Sequence, residues 1–88
     1  DASKGWEMIS EQYWAATLLN EYESYNNWRR TGYPTLTPIN YDGNVTGGTI
    51  PRRLIYPSSE QATNGDNYAA AVARQGADDF TTRIWWDK

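Results

Sequence analysis

The sequence predicts a mainly α-helical chain with long irregular loops and at most a small β-hairpin. Two observations carry most of this. Apolar residues recur at helical spacing through the first third, and the prolines and turn glycines crowd into the middle. A third is the alanine-rich stretch near the end, which returns to helical composition. At 88 residues the chain is at most one small domain, with a thin core.

The first helical segment is predicted from Trp6, Ile9, Tyr13, Ala16 and Asn20, spaced i, i+3, i+7, i+10, i+14. Trp14, Leu18, Tyr22 and Tyr25 form a second stripe on a neighbouring face. Asn20 stands where the first stripe should continue, so the pattern predicts two helices, about 4–19 and 21–31, with one long helix as the alternative. Gly32 then Tyr33-Pro34 ends the segment, because glycine suits the left-handed position past a helix and proline cannot extend it. Arg29 and Arg30 fall in the last turn, where cations complement the helix dipole. A helix apolar on two sides is packed from two sides. The rest of this chain is too short and loop-rich to cover both, so the sequence is expected to be a piece of a larger body.

Residues 33–63 hold Pro34, Pro38, Pro51 and Pro57 together with Gly43, Gly47 and Gly48. Asp42-Gly43 and Gly47-Gly48 are turn signals. Extended pieces are expected near Thr49–Ile50 and Arg53–Tyr56, pairing at most as a hairpin. So long a loop makes most sense draped over other structure. A helix over about 66–75 follows, with Asp66 as N-cap, Asn64 as a second cap candidate and Gly76 as the stop. The tail ends in Trp85-Trp86. Two exposed tryptophans would be a solubility hazard, so at least one is expected to tuck against the body.

Composition removes several functions. Without histidine or cysteine the chain lacks the usual neutral-pH base, the commonest metal ligand and any thiol chemistry. Net charge is −3 with both signs scattered, which gives no stripe for nucleic acid. No apolar run approaches the ~20 residues that span a bilayer, and no apolar signal region follows Asp1-Ala2-Ser3-Lys4. Any membrane link is therefore expected from sequence outside these residues, or from a partner. Five Trp and seven Tyr beside one Phe suit half-wet packing or sugar platforms, with packing the leading reading for any single ring.

The carboxylates yield no catalytic site. Glu7 and Glu11 share a helix face, but nothing supplies the cleft a glycosidase pair needs. Asn64-Gly65-Asp66-Asn67 and Asp78-Asp79 carry oxygen ligands but do not match a regular calcium loop, and no metal or cofactor site is assigned. Asn44-Val45-Thr46 fits a glycosylation acceptor pattern by chance. Arg29-Arg30 and Arg52-Arg53 could clamp anions with bidentate geometry. Tying down helix ends and loops is the stronger reading.

Several motifs stand in order. They are Gln12-Tyr13-Trp14, Asn27-Trp28-Arg29-Arg30-Thr31-Gly32-Tyr33-Pro34, Ile50-Pro51-Arg52-Arg53-Leu54-Ile55-Tyr56-Pro57, Glu60, Asn64, Asn67-Tyr68 and Ile84-Trp85-Trp86-Asp87. This series resembles the C-terminal part of SusD/RagB-family proteins, especially the SusD-like subgroup, over nearly the whole chain. The resemblance implies a helical, tetratricopeptide-containing fold several hundred residues long. It further implies a lipid anchor upstream of Asp1, the outer face of the outer membrane of Bacteroidetes-type bacteria, and no enzymatic activity. The implied partners are a SusC-type TonB-dependent transporter, an oligosaccharide or other nutrient, and the missing N-terminal part of the same protein.

Under that resemblance residues 1–88 are one C-terminal piece, mainly scaffold. Arg29, Arg30, Tyr33, Pro34, Arg52, Arg53, Tyr56, Pro57, Asn64, Trp85 and Trp86 transfer as structural features only. If a ligand reaches this piece, Asn40, Tyr41 and Asp42 are the candidates, an aromatic face flanked by amide and carboxylate, with an ordinary turn as the competing reading. A purely structural segment that contacts the transporter or the rest of the body is the alternative function.

Overall fold

A computed structural model describes residues 2–87. The described residues are helices and irregular chain, with no strand. They divide into two units, Asp1–Thr37 with Trp86–Lys88, and Pro38–Trp85.

The first unit is an α-helical pair. A short 3-10 turn (Ala2–Lys4) leads into α1 (Gly5–Ala16), and α2 spans Glu21–Thr31. The break falls where Asn20 interrupts the apolar stripe, but α1 stops three residues short of the predicted end. Thr17 accounts for this. Its hydroxyl donates to Tyr13 O at 2.8 Å and its carbonyl accepts from Asn20 N at 2.8 Å, closing a turn. Asn20 then caps α2 through its side-chain oxygen, which accepts from Glu23 N at 3.4 Å. The two helices are fastened by hydroxyls: Thr17 Oγ1 and Ser24 Oγ share a 2.6 Å hydrogen bond, and Ser24 Oγ lies 3.0 Å from Thr17 O. Gly32 ends α2 at φ 77°, the left-handed position the sequence predicts.

Among the described residues of this unit, Trp28 is the buried apolar one. Its ring stacks on Tyr25 with centroids 6.2 Å apart. The outer faces of the pair carry Trp6, Ile9, Leu18 and Tyr22, all exposed. The first predicted stripe forms on α1 through Trp6, Ile9, Tyr13 and Ala16, whereas the second is divided by the break, with Trp14 on α1, Leu18 in the turn and Tyr22 and Tyr25 on α2.

In the second unit, α3 (Ser58–Thr63) and α4 (Gly65–Gln75) meet at Asn64. Helix α3 corrects the expectation of loop through residue 63. Six residues are less than two turns, too few for a periodic pattern to show. Asn64 corrects the preferred cap. It is the residue before α4, so Asp66 lies inside the first turn, where a carboxylate still complements the dipole. Asn64 closes α3 by donating its N–H to Glu60 O and opens α4 by accepting from Tyr68 N. The pieces near Thr49–Ile50 and Arg53–Tyr56, which the sequence allows to pair at most as a hairpin, form no strand among the described residues. Arg52 N instead donates to Phe80 O at 2.6 Å, and Tyr56 N donates to the Asp78 carboxylate at 3.2 and 3.3 Å.

Candidate functional site

Arg29 sits between two aromatic faces, its guanidinium carbon 4.4 Å from the centre of Tyr25 and 4.4 Å from that of Trp86. Arg29 also donates to Asn26 Oδ1, and Arg30 to Asn27 Oδ1. The Arg-Thr-Gly-Tyr turn is closed by Thr31, whose hydroxyl donates to Asn27 O and accepts from Tyr33 N. The Tyr33–Pro34 peptide bond is cis. These residues shape a helix end and its exit.

The Pro-Arg-Arg segment is organised by Asp78. Arg53 Nη2 pairs with Asp78 Oδ1 at 3.0 Å, with side chains 9% and 8% exposed. Tyr68 Oη donates to Asp78 Oδ2 at 3.1 Å. Tyr56 and Tyr68 meet edge to face, 5.7 Å apart, and Gln75 donates to Tyr56 Oη at 3.1 Å. One buried carboxylate therefore gathers the loop carrying Arg53 and Tyr56, the helix carrying Tyr68 and the chain after α4. Sequence reasoning treats Asp78 only as a weak calcium ligand, because its partners lie 10 to 25 positions away. Beside it, Asp79 Oδ1 accepts from the N–H and hydroxyl of both Thr81 and Thr82. Those hydrogen bonds, the one from the Thr81 hydroxyl foremost, hold the Asp79 carboxyl below its ordinary range.

The predicted ligand loop lies in the same unit. Asn44 N donates to Tyr41 O at 3.1 Å, closing the Asp42-Gly43 turn with Gly43 at φ 84°. Gly48 also has positive φ, and a Cβ there would stand 2.7 Å from Asn40 Cβ, so only glycine fits against Asn40. Tyr41 is 67% exposed and lines a groove of about 310 Å³ with Ile39, Val45, Ile50, Pro51 and Phe80. The loop thus brings Tyr41 to a concave apolar wall, while Asn40 lies against Gly48 and Asp42 is exposed on the turn. Asn44, which the sequence reading does not select as a ligand contact, joins Tyr41 at the groove.

The tail pair separates. Trp86 is half-buried under Arg29, whereas Trp85 is 88% exposed. Trp85 lines a pocket of about 360 Å³ with Arg53, Arg74, Gln75, Arg83 and Ile84. The expectation that at least one tryptophan tucks in is met by Trp86 alone.

The SusD-like family model, described as Susd and RagB outer membrane lipoprotein, matches residues 2–87. The chain belongs to the SusD-like family. Among solved structures it is similar to a chitin-binding protein at 46% identity and a TM-score of 0.84, over 99% of this chain and 20% of that one. A Bacteroidetes AC2a SusD-like protein aligns at 34% identity and a TM-score of 0.85, over 100% of this chain and 17% of that one. A chitin-binding SusD homolog from Flavobacterium johnsoniae aligns at 36% identity and a TM-score of 0.71, over 93% and 18%. No curated protein matches the chain. The chain therefore spans about a fifth of the length of the SusD-like structures it matches. The motif series read from the sequence and the mainly helical architecture both agree with this family.

Proposed function

We propose that these residues are the C-terminal scaffold segment of a non-catalytic outer-membrane lipoprotein that captures chitin-type oligosaccharide and passes it to a SusC-type TonB-dependent transporter. The observation that carries the reading is the 46% identity, across 99% of this chain, to a chitin-binding protein. The geometry supports the scaffold role. Arg29, Arg30, Arg53 and Asn64 are spent on helix ends, aromatic faces and a buried carboxylate. The lipid anchor and most of the ligand face belong to the remainder of the protein.

The Tyr41 loop is where this segment reaches towards ligand. An exposed tyrosine on an apolar groove offers a flat face to the apolar side of a pyranose ring, with Asn40, Asp42 and Asn44 close in sequence for the hydroxyls. Calorimetric titration of the full-length protein with chitohexaose tests both statements. Binding by the wild type supports glycan capture. Tyr41→Ala is expected to weaken it roughly tenfold, about 1.4 kcal/mol. An unchanged affinity leaves the whole segment as scaffold, and co-purification with the transporter tests that partnership separately.

A further inference from the structure

Asn44 brings a fixed and unspent donor to the Tyr41 groove. The Thr46 N–H donates to Asn44 Oδ1 at 2.9 Å, and the Thr46 hydroxyl lies 2.7 Å from the same oxygen. An Asn side chain closes this turn on the residue two places along, which gives the Asn44-Val45-Thr46 spacing a structural reason. A backbone N–H needs an acceptor, so the amide oxygen is held at Thr46 and the NH2 group is turned away from it. That nitrogen makes no hydrogen bond among the described residues, and it is open to solvent rather than buried. Around it, Ile39 and Val45 are 83% and 80% exposed, and with Ile50 and Phe80 they give the groove a wall of methyl and ring carbons.

The groove thus combines an apolar wall, the Tyr41 ring and an oriented amide donor, all within the second unit. The group that matches them carries a methyl beside an acceptor. An acetamide does so, since its methyl covers apolar carbon while its carbonyl oxygen accepts from Nδ2. A sugar hydroxyl meets the donor but covers none of the wall. At about 310 Å³ the groove lies at the small end of ligand sites, a size for one sugar residue rather than a chain of them. We propose that the groove holds the 2-acetamido group of a single sugar residue, with its methyl on the Ile39–Val45 wall, its carbonyl oxygen on Asn44 Nδ2 and its pyranose face on Tyr41. Asn44 is then the residue of this segment that selects an acetylated amino sugar over a plain one. The proposal deepens the glycan reading and rests on it.

The test uses the full-length protein and a chitohexaose in which some acetyl groups are replaced by a diazirine-bearing acyl group. Light expels dinitrogen from the diazirine, and the resulting carbene inserts into a neighbouring C–H bond. Peptide mass spectrometry of the wild type is expected to find the sugar attached within residues 38–51 or at Phe80, and unlabelled chitohexaose in excess is expected to prevent the attachment. Attachment only elsewhere in the protein overturns the proposal, as it would if another part of the polypeptide filled the groove. Calorimetric titration of Asn44→Asp gives a second reading. This variant keeps an oxygen for the Thr46 N–H and turns the donor at the groove into an acceptor. Its affinity for chitohexaose is expected to fall roughly tenfold, the scale of one lost hydrogen bond with an unmet acceptor left behind. An unchanged affinity overturns the proposal. A wild type that binds chitohexaose but carries the label outside the groove leaves glycan capture standing without this subsite, whereas a wild type that binds no chitohexaose sinks the glycan reading itself.

Discussion

At the scale of residues, Asp78 and Asp79 show how neighbouring carboxylates take different work. The Asp78 side chain is buried and meets a guanidinium, a tyrosine hydroxyl and a backbone N–H. Removing it strands the Arg53 charge and the Tyr56 N–H together. Asp78→Ala is therefore expected to cost about 3 kcal/mol, read from urea unfolding of the full-length protein. Asp78→Asn, which keeps an oxygen but loses the charge, is expected to be milder. Asp79 is exposed, and its part is seen in pH dependence. A carboxyl held below its ordinary value stabilises the fold while ionised. That contribution is fully present above the ordinary value of 3.8 and is lost as pH falls through the lowered one. Asp79→Asn is expected to flatten the acid limb of thermal stability below about pH 4. An acid limb identical to that of the wild type would show that the hydrogen bonds from Thr81 and Thr82 carry no charge preference.

At the scale of elements, helix starts and stops are legible wherever a side chain or a glycine acts on its own backbone. Thr17 closes the turn after α1, Asn20 caps α2 and Gly32 ends α2, each for reasons local to a few residues. Helix α3 is not legible, since six residues carry no periodic signal and its closing residue, Asn64, also opens α4. How α1 joins α2 is likewise hidden. The periodic pattern points to apolar stripes, yet two hydroxyls make the direct link. Ser24 is buried, and truncating it leaves the Thr17 groups without that partner. Ser24→Ala is expected to lower unfolding stability by about 1–2 kcal/mol without reducing helix content by circular dichroism. A loss of less than about 0.3 kcal/mol would assign the fastening to the aromatic packing instead.

At the scale of the whole molecule, the imbalance is between apolar residues made and apolar residues covered. Trp28 is buried, whereas Trp6, Ile9, Leu18, Leu19, Tyr22 and Trp85 are exposed among the described residues. Burial of apolar area is the main favourable term against chain entropy, and here little of it is realised. The 88-residue segment expressed alone is therefore expected to lack a cooperative thermal transition and to self-associate on size-exclusion chromatography. A monomer with a sharp two-state melt would show that the segment stands by itself.

The sequence by itself determined the mainly helical class, the break at Asn20, the stop at Gly32, the turns at Gly43 and Gly48, and the family. Each depends on a local backbone preference or on an ordered series of short motifs, and both are carried by neighbours in the chain. Only the tertiary structure decided that Asp78 binds Arg53 and Tyr68, that Tyr41 lines a groove, and that Trp86 lies under Arg29 while Trp85 faces outward. Those outcomes depend on which distant residues arrive at the same place, and no spacing along a chain encodes that.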